Sequence, residues 1–403
     1  MDARDPLAGA RDQFRLPQGL IYLDGNSLGA LPRRAPDRVF EVMRLQWGED
    51  LIAGWTRHGW MDLPLRVGSK IGELVGAPDG TLVACDTTTL NLYKLLAAAL
   101  AERPDRRTVV SERGNFPTDL YVAEGLFRTL GQGHRLKLAD RAEDVVAAID
   151  TDTAAVMLTQ VDYRTGALHD MDAVTKAAHD KGALTIWDLA HSAGALPVDL
   201  AGTDADYAVG CGYKYLNGGP GAPAFLYVAR RLQASFVPAL QGWLGHARPF
   251  DFDPAYVPAE GIGRTIVSTP SVLSLAALEA GVDTLRSWRM ADIRAKSEAL
   301  TEIFRILIDP LAERLGLTRA SPRDPALRGS QICYRHPEGY AIIQALVERR
   351  IVGDFRAPDI LRFGFAPLYL RHVDAWDAAA NLVDVIETRA YDDPRLRVRA
   401  RVT

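Results

Sequence analysis

Cysteine is scarce. The 403 residues carry three, Cys85, Cys211 and Cys333, far apart and with no CxxC spacing. That excludes a disulfide framework or a thiolate zinc site and fits reduced thiols in a cytosolic protein. Long apolar runs are absent as well. No stretch approaches the ~18 uninterrupted apolar residues of a membrane span, and the first residues, Met-Asp-Ala-Arg-Asp-Pro, contain no apolar signal core. Charge of one sign is also missing: 47 basic and 51 acidic residues are well mixed and give a net charge of -4. Nothing in that balance calls for nucleic acid or an anionic membrane as a partner. Internal repeats and low-complexity tracts are not found. A soluble, cytoplasmic protein is expected.

What is present is a large apolar fraction, 48% of the chain, enough for a sizeable core and for two domains. Between residues 107 and 228 strand-like runs alternate with helical periodicity. Strands are expected at 108–111, 135–138, 154–159, 184–188, 207–209 and 224–228, and helices at 117–130, 142–149 and 171–181. This alternation predicts an α/β unit with a mostly parallel sheet, whose ligands bind at the carboxyl ends of the strands. Upstream come a short strand at 20–23, a polar glycine-rich turn at 24–29, a helix at 32–47, an aromatic loop at 55–60 and a helix at 62–75. Downstream, Thr269-Pro270 opens a helix through 285, and another spans 292–315. Short strands at 331–334, 351–355 and 360–363, with two helices, make the remainder a smaller α+β unit. The expected division is an N-terminal segment 1–59 packing with the small unit, a large α/β domain 60–270, and a small domain 271–403.

The chemistry gathers around Lys214. It stands between Tyr213 and Tyr215 in a turn with five glycines: Gly210, Gly212, Gly218, Gly219 and Gly221. Twenty-six residues upstream, Asp188 ends a strand-like run. A lysine after one strand and an aspartate at the end of the preceding one suit a pyridoxal phosphate site. There the lysine joins the cofactor and the aspartate pairs with the ring nitrogen. Thr87, Thr88 and Thr89 open an apolar helix. Hydroxyls and free amides there can cradle a phosphate, although taken alone they read first as a simple helix cap.

Together these stretches resemble kynureninase, in the class V branch of the aminotransferase-like (fold type I) pyridoxal phosphate enzymes. The motifs carrying the resemblance are Tyr22-Leu-Asp-Gly-Asn26-Ser-Leu-Gly29, Asp86-Thr-Thr-Thr-Leu-Asn-Leu92 and Asn115-Phe-Pro-Thr-Asp119. They continue with Trp187-Asp-Leu-Ala-His191-Ser-Ala-Gly194, Gly212-Tyr-Lys-Tyr-Leu-Asn-Gly-Gly-Pro-Gly221, Gly242-Trp-Leu-Gly-His246 and Arg362-Phe-Gly-Phe-Ala-Pro-Leu-Tyr369. They run collinearly over nearly the whole chain.

The resemblance implies a seven-stranded, mostly parallel sheet flanked by helices, and a role for each matching residue. Lys214 would carry pyridoxal 5'-phosphate and later move the Cα proton. Asp188 would hold the pyridine nitrogen protonated, with His191 beside the ring. Phe116 would stack on the ring, and Pro117, Thr118 and Asp119 would follow it, Asp119 near the ring hydroxyl. Thr88, Thr89 and the Tyr213 hydroxyl would reach the phosphate, and Thr159 would also line the cofactor site. Tyr213 is in addition the candidate general acid. Trp243 and Thr269 would enter from the second subunit of a homodimer. Some family members carry asparagine at the position of Thr269. Arg362 would clamp the substrate α-carboxylate, with His58 and Asn26 also at the substrate. The implied reaction is hydrolysis of the Cβ–Cγ bond of L-kynurenine or 3-hydroxykynurenine. It gives anthranilate or 3-hydroxyanthranilate and L-alanine, in tryptophan catabolism and the kynurenine pathway leading to NAD biosynthesis. Rival readings are a cysteine desulfurase or aminotransferase of the same branch, or a silent binding protein of the same fold. A desulfurase needs a mobile cysteine. Cys85 and Cys211 sit just before the threonines and the lysine, where neither is free to approach substrate, and Cys333 lies in an apolar strand-like stretch.

Overall fold

The structure, a computed structural model, describes residues 1–399. Seven strands form its central sheet: β1 (Leu82–Ala84), β2 (Thr108–Glu112), β3 (Arg135–Ala139), β4 (Thr153–Thr159), β5 (Leu184–Asp188), β6 (Tyr207–Gly210) and β7 (Phe225–Val228). Their spatial order is β1-β7-β6-β5-β4-β2-β3. Only β7 opposes its neighbours; pairs from β6 to β3 are parallel. Both faces are covered, so β4 and β5 are buried at every position and show no polar alternation. Trp187 packs into the apolar cluster on one side of the sheet and Ile186 into that on the other. Register matters for the site. Thr159 lies opposite Asp188, and Asp188 opposite Val209, at the carboxyl edge of the sheet.

A second, antiparallel sheet holds β8 (Thr318–Arg319), β9 (Gln331–Arg335), β10 (Asp354–Arg356) and β11 (Ile360–Gly364), in the order β8-β9-β11-β10. Arg362 on β11 has Cys333 opposite it on β9 and Asp354 opposite it on β10. The N-terminal strand Ile21–Tyr22 pairs in parallel with Ile351–Val352. Asp24 then bridges to Gly364. The turn 24–29 is thereby carried over the end of β11 toward the lysine loop.

Most expected elements are present, with local differences. The helix expected at 32–47 starts at Arg34, after a strand Leu31–Pro32, and passes into π-helical turns over Val42–Trp47. The segment 55–60, expected as a loop, begins with one helical turn, Gly54–Arg57. Helix 292–315 stops at Ile308 because Pro310 cannot continue the hydrogen-bond ladder. The run 142–149 splits into a 3-10 turn and a single α turn. Run 351–355 breaks at Gly353, one half joining the N-terminal strand and the other β11. Strand β1 was not expected: three residues are too short to show a period.

Helix Val272–Arg286 packs beneath the lysine loop. A Cβ on Gly281 would lie 2.4 Å from the Leu216 carbonyl oxygen and 2.7 Å from that of Asn217. Neither backbone atom can yield without moving the loop. Gly281→Ala is expected to lower stability by about 1–3 kcal/mol, read from urea unfolding. Unchanged stability would mean that helix and loop are not in this contact.

Candidate active site

The chain leaves β6 and turns sharply, so that Lys214 lies past the carboxyl edge of the sheet. Asn217, at φ +55°, donates its backbone N–H to the Lys214 carbonyl (2.9 Å), and Gly218 does the same to Gly212 (2.9 Å). From the other side Gly29 donates its N–H to the Tyr213 carbonyl at 2.7 Å. A side chain at Gly29 would collide with the Lys214 carbonyl oxygen. The Lys214 amine is 2.8 Å from His191 Nε2 and 5.9 Å from the centre of the Phe116 ring. Burial lowers the pKa of this lysine. Burial, then the Lys214 charge, holds His191 well below the ordinary histidine range, so its imidazole is neutral and Nε2 can accept from the amine. His191 Nδ1 is buried without a partner.

Two buried carboxyls face this amine. Asp188 accepts the Ala190 N–H at 2.8 Å; burial raises its pKa and the Lys214 charge opposes the rise. Asp119 lies in the first turn of helix Pro117–Leu130, one residue beyond Thr118. Its Oδ1 has no partner and its Oδ2 is 3.4 Å from Thr159 Oγ1. Burial, then the negative charge of Asp188, pushes Asp119 well above the usual carboxylate range. Asn115, part of a family motif but given no role from the sequence, fixes this corner. Its Oδ1 accepts the Phe116 N–H (2.8 Å), the Thr159 N–H (3.2 Å) and the Thr159 hydroxyl (2.5 Å). Its position immediately before Phe-Pro at a helix start was the available signal. Thr87 caps the helix Thr88–Glu102 by accepting the Leu90 N–H (3.3 Å), so the Thr88 and Thr89 hydroxyls are not needed for capping. Burial raises the Tyr213 phenol. It stays protonated near neutrality and can donate a hydrogen bond, but the shift runs opposite to what an efficient neutral-pH acid requires.

The antiparallel sheet supplies the cationic wall. Buried Arg362 donates Nε to Asp354 Oδ1 (2.7 Å) and Nη1 to the Tyr163 carbonyl (2.8 Å). Its Nη2 reaches Asp354 Oδ2 (2.5 Å) and Ser27 Oγ (2.7 Å). The Tyr163 ring meets the Phe116 ring edge-on at 5.2 Å, tying this wall to the other. Asn26, fully buried, donates to Gln331 Oε1 at 3.1 Å. Gln331 in turn donates toward the Tyr163 carbonyl (3.2 Å) and lies beside His191. Asp354, Tyr163, Ser27 and Gln331 went unassigned in the sequence, since a cross-strand neighbour 8 residues away and a loop carbonyl leave no motif.

Trp243, Thr269 and the segment around His58 lie elsewhere in the chain. Trp243 and Thr269 line a hollow of about 690 Å³ with Ile52, Trp55, Gly59 and Phe250. His58 Nε2 pairs with Asp50 Oδ2 at 2.7 Å. Among the described residues no hydrogen bond or ion pair joins these three to the Lys214 cluster. All three cysteines are free and buried.

Residues 293–382 match the family described as "Kynureninase C-terminal domain". A kynureninase of Pseudomonas fluorescens is 49% identical over 407 residues, covering 100% of this chain and 98% of the relative. Kynureninases of Burkholderia pseudomallei and Burkholderia mallei match with the same identity and coverage. The chain belongs to the kynureninase family. Among solved structures, a cysteine desulfurase from Thermococcus onnurineus superposes with a TM-score of 0.79 at 18% identity, over 96% of this kynureninase-family chain and 99% of the other. The Escherichia coli desulfurase CsdA gives 0.77 at 21% identity, over 95% and 98%. A C-DES variant with glycine covalently linked to its pyridoxal phosphate gives 0.80 at 19%, over 93% and 99%. These likenesses establish the class V, fold type I architecture. They do not carry desulfurase chemistry here, and the buried cysteines are no mobile nucleophiles.

Asp24 borders the same wall. Burial, then the charge of Asp354, raises its carboxyl to about 7. A raised carboxyl pKa leaves stability untouched below the unfolded value near ~3.9 and subtracts from it as pH climbs through the folded value. Asp24→Asn is therefore expected to raise the melting temperature at pH 8 more than at pH 4.5. An equal shift at both pH values would contradict the assignment.

Proposed function

We propose that this protein is a pyridoxal phosphate-dependent hydrolase that cleaves the Cβ–Cγ bond of L-kynurenine or 3-hydroxykynurenine. The products are anthranilate or 3-hydroxyanthranilate and L-alanine. One observation carries the reading: a buried lysine amine, hydrogen-bonded to a neutral histidine, faces an aromatic ring, two buried carboxyls and a buried arginine. The cofactor fits these residues. His191 Nδ1 and Asp119 Oδ1 are buried polar atoms without partners, and the Asp188 carboxylate has a single backbone donor. Such groups suit a heteroaromatic ring bearing a protonated nitrogen and a hydroxyl. Asp188 would take the ring nitrogen, Asp119 the hydroxyl and Phe116 the ring face. Thr88, Thr89 and the Tyr213 phenol would donate to the phosphate, with Pro117, Thr118 and Thr159 completing the walls.

When bound, pyridoxal phosphate withdraws electrons from Cα and accepts the pair left on Cβ as the Cβ–Cγ bond breaks. The chain's residues do the remainder. Arg362 offers a planar fork to the α-carboxylate and fixes the substrate's orientation. Lys214, with its pKa lowered by burial, has more of its amine neutral than a surface lysine and can take the Cα proton. His191, hydrogen-bonded to that amine at 2.8 Å, steers it. Asn26 lines the carboxylate end. Water adds to the side-chain carbonyl, its oxygen leaves on anthranilate as part of the carboxyl group, Cβ takes up a proton and Cα regains one, and L-alanine leaves.

Within one chain Trp243 and Thr269 line a hollow whose lining does not include Lys214, in keeping with a homodimer in which the partner supplies these two residues to the site. Among the described residues no helix is long and apolar enough to cross a membrane, in keeping with a cytoplasmic setting for tryptophan catabolism.

Two experiments test this reading. Purified protein with pyridoxal phosphate and L-kynurenine should release fluorescent anthranilate, and Lys214→Ala should not; sulfide from cysteine with no anthranilate would refute the assignment. Co-expressed Lys214→Ala and Trp243→Ala chains, each inactive alone, should recover about a quarter of the activity through mixed dimers with one intact site. No recovery would refute shared sites.

A further inference from the structure

Arg362 is already committed before any substrate arrives. Its guanidinium makes four hydrogen bonds from five N–H groups, two of them side-on to the Asp354 carboxylate. Asp354 is as buried as Arg362, both at 1% exposure, and stands directly opposite it in the sheet. A second arginine shares it: Arg356 Nη2 donates to Asp354 Oδ2 at 2.7 Å and to Ser27 Oγ at 3.1 Å. Ser27 donates its hydroxyl to Asp354 Oδ2 at 2.9 Å.

This arrangement has a directional consequence. A guanidinium accepts a carboxylate side-on through Nε and one Nη, or end-on through both Nη groups. Asp354 takes the side-on edge. Only the end-on edge remains, where Nη1 has one N–H left and Nη2 holds the weakly basic Ser27 hydroxyl. From these contacts we infer that Asp354 is a positioning residue: it fixes Arg362 so that its end-on edge alone receives the substrate α-carboxylate, with Ser27 occupying one of the two places until then. The inference rests on the proposed role of Arg362 in carboxylate binding.

Charge and orientation oppose each other here, which makes the idea testable. Removing the Asp354 charge leaves Arg362 and Arg356 less neutralised, so charge alone would tighten binding of an anion. Loss of orientation weakens it. We expect orientation to dominate, because an arginine free to swivel loses the two parallel bonds that a carboxylate needs.

The test uses the holoenzyme with steady-state kinetics. In Asp354→Asn, KM for L-kynurenine and Ki for L-alanine should each rise by about tenfold or more, with kcat changed far less. Ki for the amine of the same skeleton lacking the carboxylate should stay within about twofold, because it makes no use of Arg362. Asp354→Glu keeps the charge but displaces the carboxylate. It should weaken the two carboxylate ligands in the same selective way, and it decides the matter should the asparagine variant fail to fold. Unchanged or tighter binding of L-alanine, or equal weakening of the ligand without a carboxylate, would overturn the inference. Arg362→Lys separates the two claims: if it leaves KM unchanged, Arg362 is not the carboxylate site, whatever Asp354 does.

Discussion

An amine that must act as a base has to be kept out of water, and an ammonium out of water is expensive unless matched. Transfer of an isolated charge into a protein interior costs several kcal/mol even after relaxation. The pocket around Lys214 meets this constraint from three sides. Asp188 supplies negative charge, His191 supplies a neutral acceptor at 2.8 Å, and the Phe116 ring faces the amine at 5.9 Å. None of these groups neutralises the lysine outright, so its pKa falls and remains adjustable. The same burial sets the acids: Asp119 rises chiefly because it is buried, and further because Asp188 is negative. The titration behaviour of the site is thus one linked problem, solved by the register that puts Thr159 and Asp188 side by side.

The two sheets divide the work by charge. The parallel sheet ends in acids, hydroxyls and the lysine, whereas the antiparallel sheet brings arginines. The N-terminal segment couples them. It adds a strand beside Ile351–Val352, bridges through Asp24 to Gly364, and lays Gly29 against the Tyr213 carbonyl. Tyr163 is the second link, with its carbonyl on Arg362 and its ring on Phe116. Movement of either sheet would therefore be felt at both the Arg362 guanidinium and the Phe116 ring.

Much of this was legible in the sequence because it resides in local signals. Apolar runs of five to seven residues marked β4 and β5, and a Pro-Thr-Asp start marked the helix Pro117–Leu130 to the residue. Lys214 and Asp188 stood out locally, in a glycine-rich turn and at a strand end, whereas His191 and Arg362 were marked only by the family resemblance. What stayed hidden depends on contacts between distant segments. Asp354 and Gln331 looked like ordinary strand residues, and their importance comes from cross-strand register. Strand β1 is too short to carry a period. The π-helical stretch Val42–Trp47 continues an amphipathic helix in pattern but not in hydrogen bonding. His58, read from the sequence as standing at the substrate, pairs within its own chain with Asp50.

The central claim, that Lys214 is the residue joined to the cofactor, can be examined without relying on turnover. Borohydride reduction of the protein loaded with pyridoxal phosphate, followed by peptide mass mapping, locates the attachment directly. The account predicts a single pyridoxyl-modified peptide containing Lys214, lost when Lys214 is replaced by alanine. A label on any other lysine, with Lys214 unmodified, would contradict it.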